Sequence, residues 1–381
     1  MLAEKLAELR TAGLYRSRRV IDSAQGIYLQ IDGKQVLNFC SNDYLGLANH
    51  ADVVAAFKQA ADKYGVGSGS AHLVCGHSYE HHALEAELAE FTGRERALLF
   101  STGYMANLGV IAGLMAKGDV IYEDKLNHAS LLDGGLLSGA KFKRYLHNDM
   151  ANLQLKMAND NAAAMIVTDG VFSMDGDVAN LAELSDIAIK KQALLLVDDA
   201  HGLGVLGETG AGLVEECGLN QQQVPLLVGT FGKAFGTSGA FVAGSELLIE
   251  TLIQKARTYI YTTALPPAIA AATRMSLTII QQETERRNHL KALIERFKTG
   301  AKQLNINLMS SDSAIQPILI GDVDKTVQIS DKLLQQGFLV SAIRPPTVPQ
   351  GSARLRVTLS AAHQNHHVDS LLEALVTASA L

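Results

Sequence analysis

The sequence predicts an α/β fold built on a largely parallel sheet. Short apolar runs alternate with segments of helical periodicity through the middle of the chain, a rhythm typical of βαβ units. A polar or glycine-rich cluster follows four of these runs, and ligands in open α/β sheets bind beyond the carboxyl ends of the strands. We therefore expect one ligand site assembled from several strand ends. The predicted strands are 97–100, 120–122, 165–168, 193–197, 226–229 and 240–243.

The N-terminal segment is predicted to form a small arm. Leu2, Leu6 and Leu9 lie on one face at helical spacing, which indicates an opening amphipathic helix. Two extended runs then flank Asp32-Gly33, a dipeptide that accepts the positive φ angles of a type I′ hairpin turn. An arm with its own ribbon is thus expected over 1–48.

The C-terminal part is predicted to form a second α/β or α+β domain. A long helical pattern starts after Leu265-Pro-Pro267 and runs past Arg286-Arg287. Strand and helix patterns then mix, with strands at 315–320 and 355–359 and helices at 326–336 and 368–375. The expected division is an arm at 1–48, a large domain at 49–284 and a small domain at 285–381.

Composition and charge exclude several classes of protein. The 381 residues, 48% apolar and 19% charged, suffice for two or three domains. The net charge of −6 argues against general binding to nucleic acid or anionic membranes. Cys40, Cys75 and Cys217 are widely spaced, so reduced thiols in the cytoplasm are expected. Charges near Met1 argue against a signal peptide, and the apolar runs are too short to span a bilayer.

Two of the polar clusters carry groups suited to one cofactor. Lys233 lies among small residues in Thr230-Phe-Gly-Lys-Ala-Phe-Gly-Thr-Ser-Gly239, where the backbone can pass close to a ligand. Asp198 ends an apolar run, so its carboxylate needs a partner, and His201 follows three residues later. A lysine for a Schiff base, a carboxylate for a protonated pyridine nitrogen and an imidazole for the ring hydroxyl predict pyridoxal phosphate (PLP) as the cofactor.

A helix start supplies candidates for the phosphate of this cofactor. Thr102, Gly103 and Tyr104 follow a predicted strand and open a helical pattern. Backbone N–H groups at the start of a helix bind phosphate, so this segment is the expected phosphate site.

Other interpretations of these motifs compete with the cofactor. A lone lysine in a glycine-rich loop is usually a surface residue, and Asp198-Asp199 could bind a divalent metal. His77-Ser-Tyr-Glu80-His81 fits a zinc-protease pattern, but the sequence offers no evident distant third ligand. Gly65-Val-Gly67-Ser-Gly69 follows a helical pattern and not a strand, which argues against a dinucleotide loop. We therefore expect PLP and no metal.

Six motifs that span nearly the whole chain resemble one enzyme family. They are Ser41-Asn-Asp-Tyr-Leu-Gly-Leu47, Asn127-His-Ala-Ser130, Val171-Phe-Ser-Met-Asp-Gly-Asp177, Val197-Asp-Asp-Ala-His-Gly202, Thr230-Phe-Gly-Lys233 and Ala353-Arg-Leu-Arg356. With them the chain resembles the α-oxoamine synthases, PLP-dependent transferases of fold type I that join an amino acid to an acyl thioester with loss of CO₂. The resemblance implies a large domain with a mostly parallel sheet, a small C-terminal domain and an N-terminal arm.

The resemblance also implies roles for the cofactor-binding residues. Lys233 would form the Schiff base, His128 would stack on the ring, and Asp198 would pair with the pyridine nitrogen. His201 and Ser173 would lie near the ring hydroxyl, and Lys233, His128, Asp198 and His201 form the implied catalytic set. The implied phosphate ligands are Gly103, Tyr104, Thr230 and, from the neighbouring subunit, Thr262.

The substrate residues follow from the same resemblance. Arg356, helped by Asn42, would hold the α-carboxylate, and His128 would contact the substrate as well. Arg16 and Thr347 fall at further substrate-contacting positions. One departure is Asp169, which stands where the family motif has Glu, so the shorter side chain could weaken a contact there.

The implied reaction joins L-alanine to a pimeloyl thioester in biotin biosynthesis. Ala342-Ile-Arg-Pro-Pro-Thr-Val-Pro349 is the stretch that favours this member of the family. The acyl carrier could be CoA or acyl carrier protein, and Arg16, Arg18 and Arg19 could meet an acidic carrier, although a solvated basic face also explains them. A sister reaction, with glycine and acetyl-CoA as in glycine C-acetyltransferase (2-amino-3-oxobutyrate CoA ligase), is the alternative.

Two points concern assembly. A catalytically silent partner subunit is a second alternative, which the joint presence of Lys233, Asp198 and His201 argues against. Tyr261-Thr-Thr-Ala-Leu-Pro-Pro267 resembles the family segment that reaches the neighbouring subunit's phosphate, which implies a homodimer with shared sites. The simpler interpretation is that these threonines cap the helix after the prolines.

Overall fold

The structure, a computed structural model, describes residues 1–11, 14–160 and 162–379. The chain divides into two compact units. The terminal unit comprises Met1–Asn49, Ser173–Asp177 and Glu285–Leu381, and the central unit comprises His50–Phe172 and Val178–Thr284. The division into arm, large domain and small domain stays a prediction.

The helices and strands alternate through most of the chain. The strands are β1 Tyr28–Ile31, β2 Lys34–Asn38, β3 Arg96–Phe100, β4 Val120–Asp124, β5 Lys141–Tyr145, β6 Ala164–Asp169, β7 Leu194–Asp198, β8 Leu226–Thr230, β9 Ala240–Gly244, β10 Ile315–Gly321, β11 Phe338–Leu339, β12 Ser341–Ile343 and β13 Ala353–Thr358. The helices are α1 Leu2–Thr11, α2 Ala51–Tyr64, α3 Tyr79–Phe91, α4 Gly103–Leu114, α5 Ala129–Ser138, α6 Met150–Met157, α7 Leu181–Lys191, α8 Leu213–Glu216, α9 Glu246–Lys255, α10 Arg257–Ile260, α11 Pro267–Gln282, α12 Thr284–Gln303, α13 Val323–Gln335 and α14 Asn365–Ser379.

The central unit is built on a seven-stranded sheet. Its strand order is β3-β9-β8-β7-β6-β4-β5, and β9 runs antiparallel to both of its neighbours while the other pairs are parallel. All six predicted strands of this region are present. The predicted α/β fold with a mostly parallel sheet is confirmed.

Both faces of this sheet are buried, which explains why the strands appear in the sequence as continuous apolar runs. Successive side chains of a strand point to opposite faces. Leu196 accordingly belongs to one apolar cluster with Val110 and Ile111 of α4, whereas Val197 belongs to another with Leu184 of α7. Helices therefore cover the sheet on both sides.

Two features of the central unit differ from the sequence-based expectations. Strand β5 was not predicted, because its sequence Lys-Phe-Lys-Arg-Tyr is charged and lies at the sheet edge, where such residues are tolerated. The prediction of one continuous helix after the prolines is wrong. It is interrupted at Glu283, whose φ of −103° and ψ of 64° are not helical, so α11 ends before α12 begins.

The terminal unit contains two three-stranded sheets. In the first, β1 and β2 form the predicted hairpin, and Asp32 and Gly33 have φ angles of 49° and 73°, as a type I′ turn requires. Strand β2 also pairs in parallel with β11, a contact that the sequence did not predict. In the second sheet β13 lies between β10 and β12, antiparallel to both.

The N-terminal helix and the expected absence of membrane-spanning helices are the last two points that concern the fold. The predicted N-terminal helix is present as α1, and all ten of its residues are exposed, including Leu2, Leu6 and Leu9. Within 1–11, 14–160 and 162–379, none of the helices combines the length and the apolar character needed to cross a bilayer.

Candidate active site

Carboxylates meet at the carboxyl edge of the central sheet. Strands β6 and β7 end at Asp169 and Asp198, and the register of the pair places these two residues directly opposite each other. Both are almost fully buried. The next strand, β8, ends at Thr230, and the loop that follows it carries Lys233. The sheet therefore brings together three of the four polar clusters that the sequence pointed to.

Hydrogen-bond donors on both oxygens hold the carboxylate of Asp198. The amide Nδ2 of Asn107 donates to Oδ2 at 2.6 Å, and the backbone N–H of Ala200 donates to Oδ1 at 3.1 Å. Asn107 lies on α4 and is buried. Rotating its amide by 180° would turn Oδ1 toward the carboxylate, which is unfavourable, so the observed orientation follows from the contact itself.

The same asparagine connects Asp198 to His128. Its Nδ2 donates a second hydrogen bond to the hydroxyl of Ser130 at 2.8 Å, and that hydroxyl lies 2.8 Å from Nδ1 of His128. The backbone N–H of Ser130 also donates to Nδ1 at 3.3 Å. Nδ1 is therefore an acceptor, and the proton of the neutral imidazole resides on Nε2. Partial desolvation lowers the pKa of His128, which favours this neutral form.

Sequence reasoning missed Asn107 and Ser130. The available signal was a polar residue within α4, whose sequence Gly-Tyr-Met-Ala-Asn-Leu-Gly-Val-Ile-Ala-Gly-Leu is otherwise almost entirely apolar. A buried amide needs hydrogen-bond partners, so a lone asparagine in such a helix indicates a polar group nearby.

Asp169 supports the start of the helix that carries Ser130. Its Oδ2 accepts a hydrogen bond from the backbone N–H of His128 at 2.6 Å, immediately before α5 begins. Burial, reinforced by the neighbouring Asp198, raises the pKa of Asp169 well above its usual range. The shorter aspartate thus still reaches a main-chain donor at this position.

The loop after β8 anchors Lys233 between two buried rings. Phe231 and Phe235 are fully buried and lie in contact with each other, with ring centroids 5.6 Å apart. Lys233 itself is half-buried, and its carbonyl accepts a hydrogen bond from the N–H of Gly236 at 2.8 Å. His201 lies in the turn after β7 and is 9% exposed.

A helix start lies beside Thr230. Helix α4 begins at Gly103, and the side chain of Thr102 caps it by accepting from the N–H of Met105. A Cβ atom on Gly103 would lie 3.7 Å from Cβ of Thr230, so the glycine and the threonine are close neighbours. The first N–H groups of a helix have no intrahelical acceptor, and this makes the pair a suitable phosphate site. The exposed Tyr104 donates to the carboxylate of Asp133.

Arg356 lies on β13 of the terminal unit, and hydrogen bonds from each of its guanidinium nitrogens orient it. Its Nε donates to the carbonyl of Ser173 at 2.7 Å, Nη1 to the hydroxyl of Thr358 at 2.9 Å, and Nη2 to Oδ1 of Asn42 at 3.2 Å. Arg356 is 6% exposed. The structure thus brings together three residues that the sequence singled out: Arg356, Asn42 and Ser173.

A basic pocket in the terminal unit joins two other candidates. The pocket has a volume of about 370 Å³, and Arg16 and Thr347 both line it. Nη2 of Arg16 donates to the hydroxyl of Thr347 at 3.4 Å. Arg19 and Arg344 also line this pocket, so it suits an anionic group.

Thr262 lies in the segment between α10 and α11 and is half-buried. The capping interpretation of this segment is wrong. Helix α11 has Pro266 at its N-cap, and the described side chains make no capping hydrogen bond there. Thr263 instead forms a β-bridge with Ala71.

The competing motifs receive different explanations. Asp199 is buried and accepts a hydrogen bond from the N–H of Leu213 at 2.6 Å, and within the described residues it is not part of a three-residue metal cluster. Glu80 of the protease-like pattern pairs with Arg274 at 2.6 Å. Gly65 terminates α2, so the glycine-rich stretch that follows is not the turn of a βαβ unit.

The donor set of the central unit fits PLP. It offers an amine at Lys233, a buried carboxylate at Asp198 whose remaining lone pairs suit a pyridinium N–H, an imidazole at His128 and a helix start beside Thr230. Each group corresponds to one requirement of this cofactor.

Comparisons with known proteins agree with this chemistry. Residues 34–375 match the family described as aminotransferase class I and II. The 8-amino-7-oxononanoate synthase of Thioalkalivibrio sulfidiphilus is 60% identical over 376 residues, 98% of this chain and 96% of that protein. A solved serine palmitoyltransferase from S. paucimobilis, with a bound PLP–myriocin aldimine, is 32% identical with a TM-score of 0.94 and covers 99% of this chain and 96% of its own.

A second solved structure is the 8-amino-7-oxononanoate synthase of Francisella tularensis. It is 34% identical with a TM-score of 0.79, over 90% of this chain and 97% of that one. The predicted resemblance is confirmed by these likenesses. The chain belongs to the aminotransferase class I and II family.

Proposed function

We propose that this chain is a PLP-dependent acyltransferase that condenses L-alanine with a pimeloyl thioester. The products are 8-amino-7-oxononanoate, CO₂ and the free thiol of the carrier, a step in biotin biosynthesis. The observation that carries the proposal is the hydrogen-bonded chain from Asp198 through Asn107 and Ser130 to His128, next to the loop of Lys233. The 60% identity to proteins named for this product supports the choice of substrates.

PLP, when bound, supplies an electron sink for the bonding electrons of the substrate Cα atom. Nζ of Lys233 would hold the cofactor covalently, and the same amine is the proposed general base for the Cα proton of the substrate. Asp198 keeps a proton on the pyridine nitrogen, because its carboxylate is held in place by Asn107 and by the N–H of Ala200. We assign His201 and Ser173 to the ring hydroxyl.

His128 acts through Nε2. Because Ser130 occupies Nδ1, the imidazole can cover the ring face and present Nε2–H as a donor to a substrate carboxylate or carbonyl oxygen. The neutral form that desolvation favours is the form that this role requires.

Phosphate binding is assigned to the start of α4. The backbone N–H groups of Gly103 and Tyr104 and the hydroxyl of Thr230 are the proposed donors. Thr262 of the partner subunit is the proposed fourth, in a homodimer with shared sites.

The terminal unit supplies the proposed substrate contacts. Arg356, oriented by Asn42 and by the carbonyl of Ser173, binds the α-carboxylate of alanine. Arg16 and Thr347 contact the acyl substrate, and the basic pocket that they line suits the distal carboxylate of a pimeloyl chain. The carrier thiol, on CoA or on acyl carrier protein, leaves as the new bond forms between alanine Cα and the thioester carbon. The Cα–carboxylate bond then breaks with release of CO₂, and a proton takes the place of the carboxylate on Cα.

A substrate matrix tests the proposal against the sister reaction. Purified holoenzyme is assayed with L-alanine and with glycine, each against pimeloyl-CoA, pimeloyl-acyl carrier protein and acetyl-CoA, and products are identified by mass spectrometry. Highest kcat/KM with alanine and a pimeloyl thioester is expected, and preference for glycine with acetyl-CoA would overturn the assignment. An absorption band that shifts on borohydride reduction distinguishes an active enzyme from a silent partner subunit.

A further inference from the structure

A group of histidines, none of which is assigned to the reaction, surrounds the start of α3. His72 lies in a short π-helical segment, His72–Gly76, and His77 follows that segment. His82 and Glu85 lie three residues apart on α3, a spacing that places them on one face of the helix. The ligand atoms of His77, His82 and Glu85 all lie within 4.8 Å of one another.

We propose that His77, His82 and Glu85 bind a divalent transition metal such as zinc. Two imidazoles and one carboxylate are three of the four ligands of a tetrahedral zinc site, and a water can fill the fourth position. Nitrogen ligands disfavour Mg²⁺ and Ca²⁺. This site lies outside the proposed catalytic groups and revises the expectation that the chain holds no metal.

Glu85 is oriented toward this site by the backbone. Its Oε1 accepts a hydrogen bond from the N–H of Leu99 on β3 at 3.0 Å, and its Oε2 lies 3.9 Å from Nε2 of His77. The carboxylate is only 14% exposed. A cation between Oε2 and Nε2 would compensate this buried carboxylate.

His77 has the second hydrogen bond that metal-binding histidines characteristically make. Its Nδ1 lies 2.9 Å from Nδ1 of His72, which is buried and stacks on Tyr259 with ring centroids 5.1 Å apart. His72 can accept this hydrogen bond in the tautomer that carries its proton on Nε2. Metal binding selects the tautomer in which His77 donates from Nδ1 and directs the lone pair of Nε2 to the metal.

The other histidine of the group is excluded as a ligand. Nδ1 of His81 accepts from the N–H of Ser78 at 2.9 Å, and Nε2 lies 2.7 Å from the carbonyl of Leu265. Both nitrogens are therefore engaged. The protease-like pattern that the sequence shows is thus not the metal site, because its second histidine and its glutamate have other partners.

His82 gives the decisive variant. It is exposed, so its side chain can turn and bring the ligand atoms to about 3–4 Å from one another. Because an exposed side chain adds little to stability, we expect its truncation to leave the fold intact. Untagged holoenzyme freed of metal by chelator dialysis is titrated with ZnCl₂ in a calorimeter. We expect one zinc per chain with a dissociation constant of about 10 µM or tighter. His82→Ala and His77→Ala should weaken it by more than the roughly 10–100-fold expected for His72→Gln, which alters the support of His77 and leaves all three ligands in place.

The matched control is His366→Ala, which removes another exposed histidine and should leave zinc binding unchanged. The unfolding temperature gives a second readout, since zinc should raise it in the parent protein and not in His82→Ala. MgCl₂ should neither bind nor compete. The proposal is overturned by the absence of a stoichiometric zinc site, or by a site that His82→Ala leaves as tight as in the parent. Neither outcome depends on the acyltransferase activity.

Discussion

Asn107 donates a hydrogen bond to Asp198, with 2.6 Å between its Nδ2 and the carboxylate Oδ2. The two residues are 91 positions apart in the sequence and both are buried. A hydrogen bond to a charged group contributes about 1.5–3 kcal/mol, which is large for a single contact. Because the amide also donates to Ser130, one side chain orients both the carboxylate and, through Ser130, the imidazole of His128.

Asn107→Ala should therefore weaken cofactor binding and turnover together. Loss of this donor removes a short, buried hydrogen bond to the Asp198 carboxylate, so we expect the dissociation rate of PLP to rise about tenfold. PLP retention after dialysis, followed by absorbance, measures the effect. Ser130→Ala is the control, because it keeps the bond to Asp198 and should retain PLP. Parent-like retention in Asn107→Ala would show that Asp198 does not depend on the amide.

The sequence predicted the sheet of the central unit better than the contacts at its edge. Strands buried on both faces give apolar runs that are visible without any partner, as at 193–197. Strand β5 lacks such a run because it lies at the edge, and the pairing of β2 with β11 depends on residues about 300 positions apart. Pairing across that distance leaves no local pattern.

The residues of the candidate site also differ in how well the sequence predicts them. Local motifs predict the roles of Lys233, Asp198 and His201, and the structure places each of these residues near a strand end. Asn107, in contrast, belongs to a helix that is otherwise apolar, and its partner Asp198 lies 91 positions away at the end of β7. The histidine group was also missed, because the sequence suggested His81 and Glu80, whereas the fold assembles His82 and Glu85 with His77.

Lys233→Ala should fold normally and lose almost all turnover. The side chain lies in a loop between buried phenylalanines and not in the apolar core, so its truncation leaves no large cavity. The visible absorbance of the bound cofactor as a Schiff base should disappear. Circular dichroism and the unfolding temperature serve as the folding check. Retention of normal activity in a cleanly purified sample would remove the lysine from the mechanism.

His128→Phe should keep PLP and lose rate. A phenyl ring still covers a cofactor face, but it cannot donate the hydrogen bond that Nε2 offers to the substrate. Loss of such a bond to a charged group corresponds to a decrease in kcat of about 10- to 100-fold. Steady-state kinetics and the PLP content of the same preparation measure both effects. Unchanged kcat would reduce the imidazole to a packing role.

Arg356→Lys should raise the KM for alanine about 10- to 100-fold while changing the KM for the thioester little. Lysine keeps the charge but cannot present the two parallel donors of a guanidinium. The matched control is Arg354→Lys, which alters an equally buried arginine of β13 that pairs with Asp175. If both variants raise the KM for alanine equally, the effect comes from strand packing and not from carboxylate binding.

Thr262 tests whether active sites are shared. Helix capping does not explain this segment, because Pro266 is the N-cap of α11 and Thr263 forms a β-bridge with Ala71. The resemblance of the segment to the family implies that the hydroxyl of Thr262 binds the phosphate of the cofactor held by the neighbouring subunit. A Lys233→Ala chain and a Thr262→Phe chain, each inactive alone, are mixed and allowed to exchange subunits.

In a heterodimer with shared sites, one site receives both lesions and the other receives neither. Random exchange at equal concentrations makes half of the dimers heterodimers, so activity should return to about a quarter of the parent value. If each chain instead supplied both residues to its own site, every site in the mixture would carry one lesion and no activity would return. Subunit exchange is verified independently by native mass spectrometry of differently labelled chains. Absence of recovery after proven exchange therefore excludes the contribution of Thr262 across the interface, while leaving the assignment of Lys233 intact.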